Sequence, residues 1–318
     1  VAREILMTFA QYVDQGLLPN RFPDAHQQPE YNSVDAALWY IEAWRAYIDF
    51  SNDHAALQSI ISNYHQGTRF GIHCDPSDGL LSAGELGMQL TWMDAKVDGW
   101  VVTPRMGKPV EINALWYNAL QTMAAFADLL GYDSRRYKTL AGQAKAGFMR
   151  FVRGDGYGLL DVVDSIDDAI RPNQIFSVSL KYSPLSDSLQ KEVVDVCARK
   201  LLCSYGLRSL ACDDPAYQPR YEGDVRQRDS RYHQGTVWGW LLGHYALAEY
   251  HVHGDAAIAQ ARLEPMRDHL SDAGLGSISE IFDADPPHRP RGAPAQAWSV
   301  ATVLEAWWKL EQAKLSHV

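Results

Sequence analysis

Residues 112–152 read INALWYNALQTMAAFADLLGYDSRRYKTLAGQAKAGFMRFV. Ile112–Leu130 is apolar over much of its circumference, GlyTyrAspSer makes a short connection, and Arg136–Val152 continues as a more polar helix. A helix that is apolar nearly all round has to be enclosed, and a more polar partner after a short turn is what can cover it. Working outward, the same cycle recurs. Ile5, Leu6, Phe9, Tyr12 and Val13 give a first helix that Gly16 stops. Ser33 is placed to cap a second helix through Ala37, Leu38, Ile41, Trp44 and Ile48, and a third runs through Leu57, Ile60, Ile61 and Tyr64, with a turn at 51–53 between them. Further helices are predicted at Pro172–Lys181, Leu189–Leu202, Gly235–Tyr250, Ala256–Leu270 and Ala295–Leu315. The alternation of long loop, apolar helix, short turn and polar helix predicts an all-α fold over residues 1–318, an (α/α)6 barrel with its long loops gathered at one end. An α-solenoid has the same local period. Solenoids keep a fixed repeat length, and these loops vary widely.

The composition narrows the function. A net charge of -10 and a pI near 5.5, with no run of Lys or Arg, exclude a basic face for nucleic acid. No apolar run approaches the ~20 residues of a membrane span. Cys74, Cys197, Cys203 and Cys212 show neither a CxxC nor a regular spacing, which suits a reduced cytoplasmic chain better than a disulfide framework and implies no metal centre. The chain opens on Val1, already in helical pattern, without a cap or signal segment, and is expected to be part of a longer polypeptide.

The chemistry concentrates in residues 84–118, GELGMQLTWMDAKVDGWVVTPRMGKPVEINALWYN. Asp94, Asp98 and Glu111 stand there among Trp92, Trp100, Trp116 and Tyr117. Rings are costly to leave in water and carboxylates are costly to bury unpaired, so the combination predicts a half-enclosed pocket lined by both. Pyranose rings are bound in such pockets. Polar and aromatic residues also meet at other loop ends: Asn32 and Asp35, Asn173 and Gln174, Tyr232, His233 and Gln234, Glu280 and Asp283, Gln296 and Trp298. If these converge, a site rich in carboxylates and rings, with no phosphate or metal motif, fits glycosidic bond cleavage. No GxSxG is present, and nucleophilic Ser or Cys chemistry has no support. On residues alone, a loop folded over a core with its Trp as filler stays open.

The same residues carry a family resemblance. LeuLeuProAsnArgPhePro at 17–23, TyrAsnSerValAspAlaAlaLeuTrpTyr at 31–40, ThrTrpMetAspAlaLys at 91–96, ProValGluIleAsnAlaLeuTrpTyrAsnAlaLeu at 109–120, ArgProAsnGln at 171–174, TyrHisGlnGlyThrValTrp at 232–238 and IleSerGluIlePheAspAlaAsp at 278–285 resemble, in order, the motifs of the C-terminal amylo-α-1,6-glucosidase domain of glycogen debranching enzymes, including the shorter bacterial members. The resemblance implies an (α/α)6 fold, no cofactor, and hydrolysis of α-1,6-linked glucose from glycogen or a branched glucan with inversion. It implies Asp94 as general acid and Glu280 as general base, with Asp35, Trp92, Glu111, His233, Gln234 and Trp298 gripping the glucosyl unit. Two departures qualify it. Gly239 and His244 stand where prolines are expected, and a WGRD-type segment with one inner helix, which family members carry before the first helix, is expected to be missing from the ring. A glucoamylase- or trehalase-like hydrolase of the same barrel, or an inactive glucan-binding remnant, are the alternatives.

Overall fold

The computed structural model describes residues 1–23, 28–47, 54–273 and 275–316; the turn expected at 51–53 and Ile48 lie outside them. The helices in chain order are α1 (Ala2–Ala10), α2 (Ala36–Tyr47), α3 (His54–Gln66), α4 (Val110–Leu130), α5 (Arg135–Phe148), α6 (Phe176–Ser179), α7 (Asp187–Lys200), α8 (Val225–Asp229), α9 (Trp240–His253), α10 (Ala256–Ala261), α11 (Glu264–His269) and α12 (Ala297–Ser316). The protein is mostly helical.

Burial separates the apolar helices α4 and α9 from their more polar partner α5. In α4, 16 of 21 residues are buried, and Gly131 ends the helix in a left-handed conformation, its N–H returning to Ala127 and Asp128 carbonyls. In α5, by contrast, the buried residues Tyr137, Leu140, Ala141, Ala144 and Phe148 recur at helical spacing on one stripe that rests on α4. α9 is buried from Trp240 to Ala246 without interruption. Neighbour packing runs α2 to α4, α4 to α6, α6 to α9 and α9 to α12, while α3 backs α2, α5 backs α4, α7 backs α9, and α10 backs α9 and α12. The elements α2, α4, α6, α9 and α12 thus form an arc of inner helices with outer partners.

Three features differ from the sequence reading. The helix expected at Gly235–Tyr250 begins only at Trp240, because Val237–Trp238 is the middle strand of a five-stranded antiparallel sheet with Pro290–Arg291, Ile281–Phe282, Gly206–Arg208 and Leu202–Cys203. Strands of two or three residues leave no period to read. The helix expected at Ala256–Leu270 breaks into α10 and α11, with Pro265 entering the first turn of α11, where its missing N–H costs nothing. Finally, α12 buries only Ser299, Val303, Ala306 and Leu310, on the side facing α9 and α10. Its other face leaves Leu304, Trp308 and Leu315 60% or more exposed. Among the described residues no helix is long and apolar enough to cross a membrane, and all four cysteines are unpaired.

Candidate active site

One face each of α2, α9 and α12, with the loop at 89–94, encloses a cavity of about 700 Å³. Trp39 from α2, Trp240 and His244 from α9, Trp298 from α12, and Trp92 and Asp94 from the loop line it. The loop is tied in by backbone bonds, Val34 N–H to Leu90 O at 2.8 Å and Val102 N–H to Ala95 O at 3.1 Å. A glucose-sized ligand fits this volume, and the rings supply the flat surfaces a pyranose face needs.

Asp94 points into open cavity space, yet the protein around it displaces so much water that its ionised form is disfavoured. Burial, with a further contribution from the negative charge of Glu280, pushes its pKa up to about 6. Asp35 lines the same cavity, immediately before α2. Its carboxyl is also raised, chiefly by burial, against a lowering hydrogen bond from Ser33 and with a raising influence from Asp94. Ser33 Oγ meanwhile accepts from the Ala36 N–H at 3.0 Å and so caps α2, as the sequence predicts.

Glu280 is held from both sides. Tyr232 Oη donates to Oε1 at 2.5 Å, and the Ala293 N–H donates to Oε2 at 2.9 Å. Gly292 makes this grip possible: it sits at φ +67°, and a Cβ there would lie 2.2 Å from Glu280 Oε2. The two carboxyls are near enough for the charge of Glu280 to act on Asp94. Each has its own surroundings, and Tyr232 feels the charge of both.

Behind Trp92 stands a buried polar wall. Trp92 Nε1 donates to Asn173 Oδ1 at 2.7 Å, and Asn173 Nδ2 donates to Asp161 Oδ1 at 2.7 Å. Asp161 in turn accepts from Arg105 Nε at 2.6 Å, and Arg105 forks onto both oxygens of Glu111. Glu111 is therefore in the wall, 2% exposed, and not on the cavity: its carboxylate is consumed by Arg105. His233 is fully buried, stacked on Trp238 at 5.0 Å and edge-on to Trp92 at 5.4 Å, with burial holding it neutral well below its ordinary pKa. Gln234 accepts from Arg171 Nη2 at 2.9 Å, away from the cavity. Of the residues expected to grip sugar, Asp35, Trp92 and Trp298 line the cavity, whereas Glu111, His233 and Gln234 support its walls.

The family model for amylo-alpha-1,6-glucosidase matches residues 1–305. The chain belongs to the amylo-α-1,6-glucosidase family. The glycogen debranching enzyme of Saccharomyces cerevisiae is similar at 23% identity, over 97% of this chain and 28% of its own length, so the chain spans about a quarter of that relative. Among solved structures, an uncharacterized conserved protein from Thermus thermophilus is similar with TM-score 0.67 and 15% identity, over 96% of this chain and 86% of the other. The GH63 mannosylglycerate hydrolase from the same organism, in complex with Tris, matches with TM-score 0.66 and 14% identity, over 96% and 87%. At these identities the likeness is one of fold, that of a helical glycosidase.

For a member of the amylo-α-1,6-glucosidase family, the cavity residues not evident from sequence include three ring side chains. Trp39, Trp240 and His244 read as core of inner helices. The one available signal is His244, a titratable residue in the otherwise apolar first turns of α9. Its Nδ1 lies 3.1 Å from Ser179 Oγ, and burial lowers its pKa to about 4, so it is a neutral wall group. Among the described residues no group of three or more His, Cys, Asp or Glu is placed to hold a metal ion.

Proposed function

We propose that the chain is the catalytic domain of an inverting glycoside hydrolase that removes α-1,6-linked glucosyl stubs from glycogen-like or branched maltodextrin substrates. The observation that carries this is the contrast between two neighbouring carboxyls. Asp94, with a pKa of about 6, can carry a proton to the glycosidic oxygen, while Glu280 is fixed in place by two donors, one on each carboxylate oxygen. Asp94 protonates the leaving oxygen and Glu280 takes a proton from a water that attacks the anomeric carbon from the opposite face. Such a pair works with its carboxyls ~6.5–9.5 Å apart, leaving room for that water. Asp35, Trp92 and Trp298 hold the glucosyl unit. Unpaired cysteines suit a reducing, cytoplasmic setting.

We infer also that residues 1–318 form one domain, an (α/α)6 ring short of one inner helix, with the open seam between α2 and α12. The exposed apolar face of α12 and the cavity shared by Trp39, Ala43, Trp298 and Ala301 support this.

The test is glucose release from a branched dextrin bearing single α-1,6-glucosyl stubs, beside panose, maltose and trehalose. Release from the stubs and panose is expected. Release from maltose or trehalose alone would move the assignment to a glucoamylase- or trehalase-like enzyme, a reading kept in view because a mannosylglycerate hydrolase shares the fold. No release by the chain or by a longer polypeptide containing it would favour a binding role.

A further inference from the structure

Shortly after Asp94, the chain makes a hairpin in which Lys96–Val97 pairs with Trp100–Val101, turned by Asp98 and Gly99 at φ 50° and 80°. Asp-Gly with both residues left-handed is the tight turn that suits a twisted two-stranded ribbon. The inner side of this hairpin, Ala95, Val97 and Val102, packs on Tyr232, the residue that holds Glu280. Trp100, the cross-strand partner of Val97 and so on the same face, stands beyond this contact at the tip of the hairpin, 45% exposed. Arg226, from α8, lies over the Trp100 ring at 5.9 Å and pairs with Asp98 at 3.2 Å. Because Trp100 is paired with Val97, and Val97 is three residues from Asp94, the Trp100 backbone lies within about 16 Å of Asp94.

Neither interaction at this corner accounts for it as a stabilising device. An exposed ion pair and a cation over an exposed ring each contribute little to stability. Trp100 nevertheless keeps nearly half of its surface in water, on a hairpin fixed at one end to the acid and at the other to the partner of the base. With Arg226 over one face of the ring, the indole leaves the rest of its exposed surface as an apolar patch with a guanidinium and a carboxylate beside it. That is the complement of a pyranose, whose C–H face stacks and whose hydroxyls both donate and accept. The Asp98–Arg226 pair is neutral overall, and the protein carries a net charge of -10, which favours a neutral ligand over a polyanion.

We propose that Trp100, with Asp98 and Arg226, is an acceptor-side binding platform for the α-glucan chain that carries the branch. The inference rests on the glucan hydrolase reading above and names a part of its substrate that the cavity does not hold. The platform grips the main chain while the glucosyl stub enters the cavity, so its contribution appears with polymeric substrate and is absent from a substrate with no acceptor chain.

The experiment has a binding arm and a kinetic arm. Linear maltopentaose, an acceptor chain without a stub, is titrated by calorimetry into the protein and into Trp100→Ala and Trp100→Phe variants. Trp100→Ala is expected to weaken Kd about tenfold, ~1.4 kcal/mol, and Trp100→Phe to restore most of the loss. Equal binding by Trp100→Ala and the unaltered protein, no binding by the unaltered protein, or equal loss in Trp100→Phe and Trp100→Ala would each overturn the platform. The second arm compares kcat/KM on branched dextrin with kcat/KM on α-glucosyl fluoride, and the ratio is expected to fall about tenfold in Trp100→Ala. An unchanged ratio overturns the proposal while leaving the hydrolase reading intact. Ring-dependent binding in a protein inert on both substrates would instead retain the platform and remove the hydrolase reading.

Discussion

Tyr232 and Glu280 are joined by a 2.5 Å hydrogen bond from the phenol to Oε1, in a loop where the Ala293 N–H fixes the other carboxylate oxygen. The phenol aims Glu280 and does not itself face the cavity. Tyr232→Phe keeps the ring contacts with His233 and Trp238 and removes only the donor. A misplaced base is costly, so kcat should fall about 10- to 100-fold with a much smaller change in KM. Steady-state kinetics on branched dextrin check this, and an unaltered kcat would show that Ala293 alone suffices.

In the roles proposed for them, Asp94 and Glu280 are each expected to be indispensable. Asp94→Asn and Glu280→Gln should lower turnover by about 10²–10⁴ or more. Asp94→Asn also carries a stability signature. The folded protein holds the proton of Asp94 more tightly than the unfolded chain does, so ionisation opposes folding increasingly as pH rises from 3.8 to about 6, and by a constant amount above that. The Asn variant escapes this cost. Its Tm should exceed that of the unaltered protein at about pH 7 and converge with it at about pH 3.5; a lower Tm at neutral pH would contradict the assigned environment.

The same proton sets the pH profile. Asp94 must be protonated to act as acid, so kcat/KM should decline above about pH 6, roughly tenfold per pH unit. A profile that stays flat well into the alkaline range would remove Asp94 from the role.

Asn173 couples the buried wall to this profile. It accepts from Trp92 Nε1 and donates to Asp161. In Asn173→Ala the indole loses its acceptor and water gains access beside Asp94. The alkaline limb should move to lower pH as the Asp94 pKa relaxes toward that of an exposed carboxyl, and stability should drop by ~1–3 kcal/mol for the unsatisfied buried groups. Loss of stability without movement of the limb would make the wall structural only.

The open face of α12 has a testable energy. Leu304→Gln and Trp308→Gln should change the stability of residues 1–318 by less than ~0.5 kcal/mol, as exposed substitutions do. In a longer polypeptide that supplies the covering helix, each should cost ~1.5–3 kcal/mol. Equal effects in both would argue against the seam.

The inner helices were legible because enclosure demands apolar residues all round, as in Ile112–Leu130 and the run from Trp240 to Ala246. The sheet through Val237–Trp238 was not, since two residues per strand leave no alternation, and its presence delays α9 from the expected start at Gly235 to Trp240. Sequence motifs brought out Asp94, Asp35, Trp92 and Trp298, which line the cavity, and Glu280, which is outside its lining but near enough for its charge to raise the Asp94 pKa. They could not separate the surface of the cavity from its support. Glu111 and Asp94 look alike as loop carboxylates until Arg105, shortly before Glu111, is seen to close on it. His233 and His244 reverse in the same way: the loop histidine is sealed behind Trp92, and the helical one reaches the cavity, because packing between distant segments decides which face of each is left open.

The most direct test of the Asp94–Glu280 assignment is the anomeric form of the first glucose released from an α-1,6-stubbed dextrin, followed by proton NMR before mutarotation. Attack by a Glu280-activated water on the face opposite the departing oxygen predicts β-glucose, with none released by Glu280→Gln. Initial α-glucose would mean retention and would contradict the account, even with both carboxyls essential.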